Sequence, residues 1–237
     1  KKKMNIIFTR PLIDSEDHMK SLFNLGYKII HIPTLSITSA NMKPLNTKSY
    51  DGLVFTSANA VRFMNLKNDD KNIKCFCVGS ITERSLRLKG FNNTIAASGT
   101  VFALKNLIIN SDKDIKKLAY LCGDVISYDL DKELIKEGFK VSKIINYNSN
   151  KILEINDKNL DLIKKYQPNI AFIYSQRSAE SFTEIISKYS LGELMTHCKV
   201  MCISKKIENF LKSKGWKKTG IFNSGEELLK IDSVKNG

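Results

Sequence analysis

The sequence predicts an α/β protein whose parallel sheets carry helices on both faces. Short apolar segments alternate with helical patterns along all 237 residues, and this alternation is typical of parallel sheets. A second observation is a repeated phrase: residues 51–62 and 169–180 each contain an apolar strand, a polar turn and the start of a helix. Ser57 and Ser175 stand at the same point of the two copies. We interpret this repetition as an internal duplication.

Four further pairs of segments extend the duplication to most of the chain. They are residues 89–91 with 214–216, 77–80 with 202–205, 98–99 with 224–225, and 25–28 with 137–140. The two repeats then span residues 5–110 and 117–232. Each repeat alternates strand and helix about five times, which predicts two flavodoxin-like, doubly wound parallel-sheet domains.

The first repeat begins with a buried strand and an amphipathic helix. Its predicted strands lie at residues 5–8, 28–32, 53–55, 74–78 and 93–97. The first helix begins near Asp14 and ends at Gly26, since glycine favours helix C-termini; its predicted apolar stripe consists of Met19, Leu22, Phe23 and Leu25. Residues 36–48 are polar and contain Pro44, so we expect a crossover linker there.

The second repeat follows the same plan. Its predicted strands lie at residues 117–121, 139–147, directly before Ser175, 200–203 and 219–222. Its predicted helices cover residues 128–138, 157–166 and 206–214, with one helix after Ser175 and a last helix at the end of the chain. Residues 148–156 are polar and are predicted as a second crossover.

Serine recurs where helices are predicted to follow strands. The five predicted N-caps are Ser57, Ser80, Ser98, Ser175 and Ser224, and Glu83 and Glu227 complete capping-box spacings. In an open parallel sheet, ligands bind beyond these strand ends, where free N–H groups of a helix attract anions. Ordinary capping is the alternative for each serine. Five such serines in a basic chain favour a cleft between two lobes that binds a polyanion.

The chain is strongly basic, with 38 Lys and Arg against 24 Asp and Glu and a net charge of +14. One interpretation is a solvated lysine surface, and the other is a positive field that attracts a polyanion. The sequence contains no zinc finger, recognition helix or aromatic-laced basic stripe, so nucleic acid is a weaker candidate than a small polycarboxylate or phosphate. No apolar run approaches the ~20 residues of a membrane helix. We expect a cytoplasmic monomer without membrane contact.

Catalytic groups are sparse in this sequence. The odd count of five cysteines argues against a disulfide framework. A metal site at His197, Cys198 and Cys202 is an alternative, but paired Cys-x-x-Cys spacing is missing, and buried free thiols fit better. His18, His31 and His197 have no evident partner. Tyr147 ends a predicted strand at the second crossover, which puts its phenol near the cleft; a half-buried strand tyrosine is the alternative.

In their order, these segments resemble the uroporphyrinogen-III synthase family. The similarity is carried by Thr9-Arg10-Pro11, the phrase at 55–61, Val78-Gly79 with Thr82, the Gly-Phe and Gly-Trp pairs after helices, and the strand end Asn146-Tyr147. It covers essentially the whole chain. The resemblance implies two domains joined by a two-stranded hinge. Domain one would be 1–35 with 153–237, domain two would be 49–146, and the hinge crossovers would be 36–48 and 147–152.

The resemblance also implies a reaction. The substrate would be the linear tetrapyrrole hydroxymethylbilane, a polycarboxylate, which loses its terminal hydroxyl and closes with inversion of ring D. No metal or organic cofactor is implied, and hand-over from hydroxymethylbilane synthase is allowed. Tyr147 matches the tyrosine that assists departure of the hydroxyl as a general acid. The implied substrate-binding residues are Thr9, Arg10, Pro11, Ser57, Ala58, Asn59, Gly79, Ser80, Thr82, Ser98, Gly123, Ser175, Arg177, Ser178, Ser204, Lys205 and Lys206.

The sequence departs from the family pattern at residues 203–207, where a Gly-Pro-Thr-Thr-like turn is usual. Lys205 and Lys206 stand there instead, and our hypothesis is that one of them binds a substrate carboxylate. Two other functions stay open at this point: a non-catalytic two-lobed protein that binds an anionic small molecule, and a nucleic-acid-binding protein.

Overall fold

The computed structural model describes residues 4–67 and 70–235 of the chain. The predicted first domain begins at residue 1 and ends at residue 237, so its outermost residues lie outside the described residues. Among the described residues, no helix is long and apolar enough to cross a membrane.

The described residues form strands and helices that alternate, as predicted. The strands are β1 (Asn5–Phe8), β2 (Lys28–His31), β3 (Leu35–Ser39), β4 (Gly52–Phe55), β5 (Lys74–Val78), β6 (Thr94–Ala97), β7 (Lys117–Gly123), β8 (Lys140–Lys151), β9 (Ile170–Ile173), β10 (Lys199–Cys202) and β11 (Thr219–Ile221). The helices are α1 (Leu12–Asn24), α2 (Ala58–Arg62), α3 (Gly79–Leu88), α4 (Val101–Ile109), α5 (Leu130–Lys136), α6 (Asp157–Lys165), α7 (Gln176–Lys188), α8 (Lys205–Ser213) and α9 (Glu227–Lys235).

The chain divides into two compact units. Unit 1 comprises residues 1–36 and 150–237, and unit 2 comprises residues 37–149. Unit 1 holds sheet A, in the order β2-β1-β9-β10-β11, and sheet B has the order β3-β8-β7-β4-β5-β6. The neighbouring strands of sheet A are parallel, and so are the pairs that β4, β5, β6, β7 and β8 form with one another in sheet B. The prediction of an α/β fold with parallel sheets is confirmed.

Each sheet is covered by helices on both faces. In sheet A, Ile7 packs with residues of α6, α7 and α8, whereas its neighbours Ile6 and Phe8 pack with residues of α1 and α9. In sheet B, Leu53 and Phe55 face α2 and α3, and Val54 faces α4 and α5. Successive strand side chains point to opposite faces, so a near-continuous apolar strand requires cover on both sides.

The strand order relates the two repeats in a way that the repeat pattern alone did not predict, although the domain bounds implied by the family resemblance each combine parts of both repeats. In chain order, sheet A reads 2-1-3-4-5, which is the flavodoxin order. The segment pairs make β7 and β8 the counterparts of β1 and β2, and β4 to β6 the counterparts of β9 to β11. Sheet B then has the same spatial order as sheet A, with β3 added at its edge. Each sheet therefore combines the first two strands of one repeat with the last three of the other.

Three predicted features differ from the structure. Residues 36–48 are not wholly a linker, because β3 occupies Leu35–Ser39, and β8 continues through part of the second predicted crossover to Lys151. In the predicted stripe of α1, Leu22 is buried, but Phe23 is 68% exposed and Leu25, just after the helix, is 61% exposed. The strands inside both crossovers were not predicted, because their residues are half-exposed and largely polar.

Candidate active site

Parallel strands bring the predicted site residues to the carboxyl edge of each sheet. The edge of sheet A carries Thr9, Arg10, Pro11, Ser175, Arg177, Ser178, Ser204, Lys205 and Lys206, which follow β1, β9 and β10. The edge of sheet B carries Ser57, Ala58, Asn59, Gly79, Ser80, Thr82, Ser98, Gly123 and Tyr147, at the ends of β4 to β8. Ligands of open parallel sheets bind at this edge.

Arg10 is a positioned cation at the edge of sheet A. Its guanidinium carbon lies 4.7 Å from the centroid of the Tyr174 ring, and its carbonyl oxygen lies 2.8 Å from Nε2 of His31. Burial and the adjacent Glu227 carboxylate raise the pKa of Tyr174, which therefore stays a hydrogen-bond donor to Glu227 Oε1 at 2.9 Å. Within the described residues the guanidinium has no hydrogen bond or ion pair, so its donors remain available to a carboxylate.

Thr9 and Ser178 lie beside Arg10 but are buried. The Thr9 hydroxyl donates to the carbonyl of Phe172 at 2.7 Å and lies 3.1 Å from Oγ of Ser178. Oγ of Ser178 also lies 2.6 Å from Oγ1 of Thr34. These three buried hydroxyls hold the first turn of α7 against the ends of β1 and β2. Their geometry favours a structural role, and substrate binding by Thr9 and Ser178 stays a prediction.

The segment that departs from the family pattern forms the start of α8. Ser204 caps this helix by accepting the N–H of Ile207. Lys205 is paired with Glu208 at 2.6 Å, so its charge is matched within its own helix. Lys206 is exposed and has no carboxylate partner in the part of the chain that the structure describes. Of the two lysines, Lys206 is the better placed to meet a substrate carboxylate.

Tyr147 is held against the end of β7 in sheet B. The register shifts between Cys122 and Gly123, so Tyr147 pairs with Gly123 and Asn146 is an extra residue in β8. Such a bulge redirects side chains and is common beside active sites. The Tyr147 ring lies where a side chain of Gly123 would be, since a Cβ there would be 2.6 Å from Cε2. Phe63 stacks on the ring, with centroids 6.4 Å apart.

The bulge also buries Asn146 at the base of this edge. Its Nδ2 donates to the carbonyl of Ala60 at 2.7 Å, at the position that the Thr34–Ser178 contact occupies in sheet A. Its Oδ1 is buried and has no hydrogen-bond partner among the described residues. Nearby, Oγ1 of Thr56 lies 3.2 Å from the Tyr120 hydroxyl, whose pKa is raised by burial.

The helix starts at the edge of sheet B are only partly as predicted. Ser57 caps α2 by accepting the N–H of Asn59 at 3.1 Å, and the Asn59 side chain accepts from the guanidinium of Arg62. Ser80 is not a cap, because α3 begins after Val78 and no side chain caps it. The backbone N–H groups of that first turn are therefore not taken by a side-chain cap and suit an anion.

Two further predicted caps differ as well. Ser98 is not the cap of α4, because Oγ1 of Thr100 accepts the N–H of Ala103 at 3.1 Å. Before α9, Glu227 accepts the N–H of Gly225 rather than pairing with Ser224, and Asn223 with Glu226 makes the reciprocal contact across the turn. Ser175 caps α7 as predicted.

The remaining predicted residues occupy varied positions. Gly79 has a φ of +75°, which favours glycine at this strand-to-helix turn. Thr82 is buried in α3, and Ala58 lies half-buried in the first turn of α2. Pro11 precedes α1 and has no side-chain acceptor for the N–H groups of its first turn. Arg177 is half-buried near the start of α7.

Sequence reasoning did not select Tyr174 or Asn146 as site residues, although both contact the edges. Tyr174 directly precedes the capping Ser175, as Thr56 precedes Ser57. The repeated phrase could therefore have indicated that Tyr174 lies at the carboxyl end of a strand, beside the site. Asn146 was part of the strand end that carries the family resemblance, but its bulge depends on pairing with β7, which no local pattern reveals.

The cysteines form neither a disulfide nor a metal site in the described residues. All five are buried and free. Burial raises the pKa of Cys75 to about 12 and that of Cys77 and Cys122 to about 11, so these thiols stay protonated and poor as nucleophiles. Among the described residues, no group of three or more His, Cys, Asp or Glu side chains is placed to bind a metal ion.

Comparison with known proteins agrees with this architecture. Residues 17–221 match the family model described as uroporphyrinogen-III synthase HemD. The uroporphyrinogen-III synthetase structure from Helicobacter pylori shares 15% identity and a TM-score of 0.65, covering 99% of this chain and 100% of that chain. A mutant uroporphyrinogen III synthase from Thermus thermophilus shares 14% identity and a TM-score of 0.57, covering 98% of this chain and 99% of that chain. No curated protein matches the chain.

Proposed function

The chain belongs to the uroporphyrinogen-III synthase family, and on this basis we propose how its residues act on the substrate. The activity is that of a uroporphyrinogen-III synthase, a lyase of tetrapyrrole biosynthesis. The observation that carries this conclusion is the family match over most of the chain, and the two similar structures support the fold. A non-catalytic binding protein is not favoured.

The proposed reaction is loss of the terminal hydroxyl of hydroxymethylbilane, followed by closure with inversion of ring D. Without an enzyme the linear chain closes without inversion. The enzyme must therefore hold one folded conformer of the substrate, which is catalysis by orientation more than by strong acids and bases. The small number of titratable groups at the two strand edges is consistent with this mechanism.

Arg10 and the open start of α3 are the proposed carboxylate contacts. The guanidinium of Arg10 packs on the Tyr174 ring, and its N–H donors are available to a substrate carboxylate. The first turn of α3 offers backbone N–H groups without a side-chain cap, and a helix N-terminus favours an anion. Lys206 is a third contact of this kind. These assignments rest on a polycarboxylate substrate and on the net charge of +14.

Tyr147 is the proposed general acid for departure of the hydroxyl. Gly123 and Phe63 fix the direction of its ring, which suits a group that must meet one atom of a held substrate. A phenol is a weak acid at pH 7. We therefore assign Tyr147 a modest share of the rate and assign most of the catalysis to substrate folding.

A coupled assay with freshly generated hydroxymethylbilane tests these assignments. Oxidised products are separated into type I and type III isomers for the wild type, Tyr147→Phe, Arg10→Gln and Lys206→Ala. We expect type III from the wild type, a kcat about tenfold lower for Tyr147→Phe, since phenols are weak general acids, and a KM about tenfold higher for Arg10→Gln. Tyr166→Phe, a change at the end of α6, serves as the control.

Three outcomes of this assay would each contradict a part of the proposal. Type I product at the rate of the blank, from a folded wild type, would overturn the activity and favour the binding-protein alternative. An unchanged kcat in Tyr147→Phe would remove the general acid but leave the activity. Unchanged KM values in Arg10→Gln and Lys206→Ala would remove the carboxylate contacts.

We also propose a monomeric cytoplasmic enzyme that receives its substrate from hydroxymethylbilane synthase. Five buried free thiols suit a reducing compartment, and direct transfer would limit unwanted closure of the linear chain. We assign no nucleic-acid partner. Salt-sensitive retention on DNA, with no effect of a carboxylated tetrapyrrole, would contradict that assignment.

A further inference from the structure

A cavity lies within unit 1 at the amino ends of the strands of sheet A. It is bounded by the end of α7, the turns before Cys198 and the segment between α8 and β11, and its volume is about 480 Å³. This size is in the range of small-molecule sites. The proposed substrate contacts of this unit lie at the opposite, carboxyl edge of the same sheet, so the cavity does not belong to the site described above.

The floor of the cavity is apolar and one wall is aromatic. Ile186, Met195 and Cys198 are buried and line it. Trp216 is half-buried; Phe182 stacks against its ring with centroids 5.5 Å apart, and its indole N–H donates to Oγ1 of Thr183 at 3.3 Å. The indole is therefore held in one orientation and presents a fixed surface to the cavity, as an aromatic ligand requires.

The rim of the cavity is cationic. Lys214, Lys217 and Lys218 line it, and all three are exposed. None of the lining residues is Asp or Glu. Within the described residues, these three lysines have no carboxylate partner; Lys214 is only near the Phe210 ring, 5.8 Å from its centroid. Three unmatched positive charges around an apolar floor complement a molecule with an apolar body and an anionic end.

We propose that this cavity is a second ligand site, for a small aromatic acid. The apolar body of the ligand packs on Trp216, Met195 and Ile186, and its carboxylate faces Lys217 and Lys218. The inference rests on the cavity and its charges and does not depend on the proposed chemistry at the carboxyl edges of the sheets.

Trp216 is the only tryptophan of the chain, which makes it a specific reporter. Phenylbutyrate is the probe, because it does not absorb where indole is excited, and its neutral amide is the matched control compound. We expect saturable binding by calorimetry, with a Kd of about 0.1–1 mM for a ligand of this size. Binding protects Trp216 from quenching by acrylamide, and the amide binds at least about threefold more weakly.

Two sets of variants locate the site. Lys217→Gln with Lys218→Gln weakens binding about threefold to tenfold, the effect of two exposed charges. Lys158→Gln with Lys164→Gln removes the same charge from α6 and leaves the affinity unchanged. Gly192 lines the cavity, has φ −54° and ψ −43°, and would place a Cβ in open space. Gly192→Phe therefore blocks the cavity without backbone strain and abolishes binding.

Three outcomes would overturn the proposal. The first is an unchanged acrylamide quenching of Trp216 at saturating phenylbutyrate. The second is equal affinity for the acid and its amide. The third is binding that persists in Gly192→Phe with the native fold, since the probe would then occupy another place. These three measurements report binding in the cavity and not turnover. They therefore remain decisive even if the wild-type protein shows no synthase activity.

Discussion

Gly123 fixes the position of Tyr147 by lacking a side chain. A Cβ at residue 123 would lie 2.6 to 2.9 Å from the Cε2, Cζ and hydroxyl oxygen atoms of the Tyr147 ring. These distances are shorter than van der Waals contact, so the two groups cannot occupy their present places together. The sequence predicted both residues as part of the site, but the contact between them depends on the bulge at Asn146.

Gly123→Ala is therefore expected to displace the Tyr147 ring. Overpacking at this point lowers the free energy of unfolding by about 1–3 kcal/mol, and the shifted phenol lowers kcat about tenfold. Urea unfolding and the isomer assay measure the two effects. Gly192→Ala is the control, because residue 192 has helical backbone angles and open space for a Cβ. It should leave kcat unchanged and should not lower the free energy of unfolding. Wild-type kcat in a folded Gly123→Ala protein would contradict this role.

Glu208 is a second residue with several contacts. Hydrogen bonds from Lys205 and Lys212, with a smaller contribution from Thr219, lower its pKa from 4.5 to about 2. The first repeat contains the same arrangement, since Glu83 accepts from Arg87 and Thr94, and these contacts lower the pKa of Glu83. In each repeat the carboxylate joins a helix to the next strand.

The lowered pKa of Glu208 predicts a pH-dependent stability. A carboxylate with a depressed folded-state pKa contributes fully above its unfolded pKa, and the contribution is lost as the pH falls toward the folded pKa. The difference in free energy of unfolding between the wild type and Glu208→Gln should be constant from pH 7 to about 4.5 and should shrink toward about pH 2. Urea titrations across pH 3–7 measure it. Asp161→Asn, on the exposed side of α6, is the control. A difference in free energy of unfolding between the wild type and Glu208→Gln that does not change with pH would contradict the assignment.

At the scale of helices and strands, the N-cap of α4 is Thr100 and not Ser98, the residue that the sequence pattern predicted. Ser98 and Thr100 are both hydroxyl residues before the helix, and only Thr100 has its side chain on a helical N–H. Thr100→Ala should lower the free energy of unfolding by about 1 kcal/mol, whereas Ser98→Ala should change it by less than about 0.5 kcal/mol. Thermal or urea unfolding of the two variants measures this. Equal effects would mean that both residues serve as caps.

The elements show where sequence patterns suffice and where they fail. Strands β4 and β9 and the caps Ser57 and Ser175 were predictable, because buried strands are continuously apolar and a serine follows each strand closely. Strand β3 and the end of β8 were not predicted, since their half-exposed residues are as polar as a linker. The uncapped start of α3 was missed for a similar reason: Ser80 has the right spacing, but the helix begins one residue before it.

For the whole molecule, the main finding is that the two repeats contribute strands to both sheets. Residues 37–149 contain all of β4 to β7 and most of β8, whereas residues 1–112 contain only β1 and β2 of sheet A and β3 to β6 of sheet B. The repeat in sequence is thus not the folding unit. The domain boundaries expected from the sequence, 1–35 with 153–237 and 49–146, stay a prediction.

This arrangement predicts opposite behaviour for fragments of nearly equal length. The segment 37–149 should unfold cooperatively in urea, because it carries a nearly complete sheet with helices on both faces. The segments 1–112 and 113–237 should each lack a cooperative transition, and mixing them should restore both the transition and type III product. Circular dichroism and the isomer assay measure this. A cooperative transition in 1–112 alone would contradict the assignment of strands to sheets.

The pairing of β1 with β9 also sets an order of events on the ribosome. β9 lies more than 130 residues after β2, so at about 5–20 residues per second its synthesis follows that of β2 by roughly 7 to 28 s. During that interval the second unit can close, since its strands are contiguous in the chain. Until β9 is synthesised, β1 lacks the central strand with which it pairs. Its apolar side chains, which are fully buried in the folded protein, then stay exposed: Ile6, Ile7 and Phe8. The nascent N-terminal segment is therefore the part of this chain that we expect chaperones to hold.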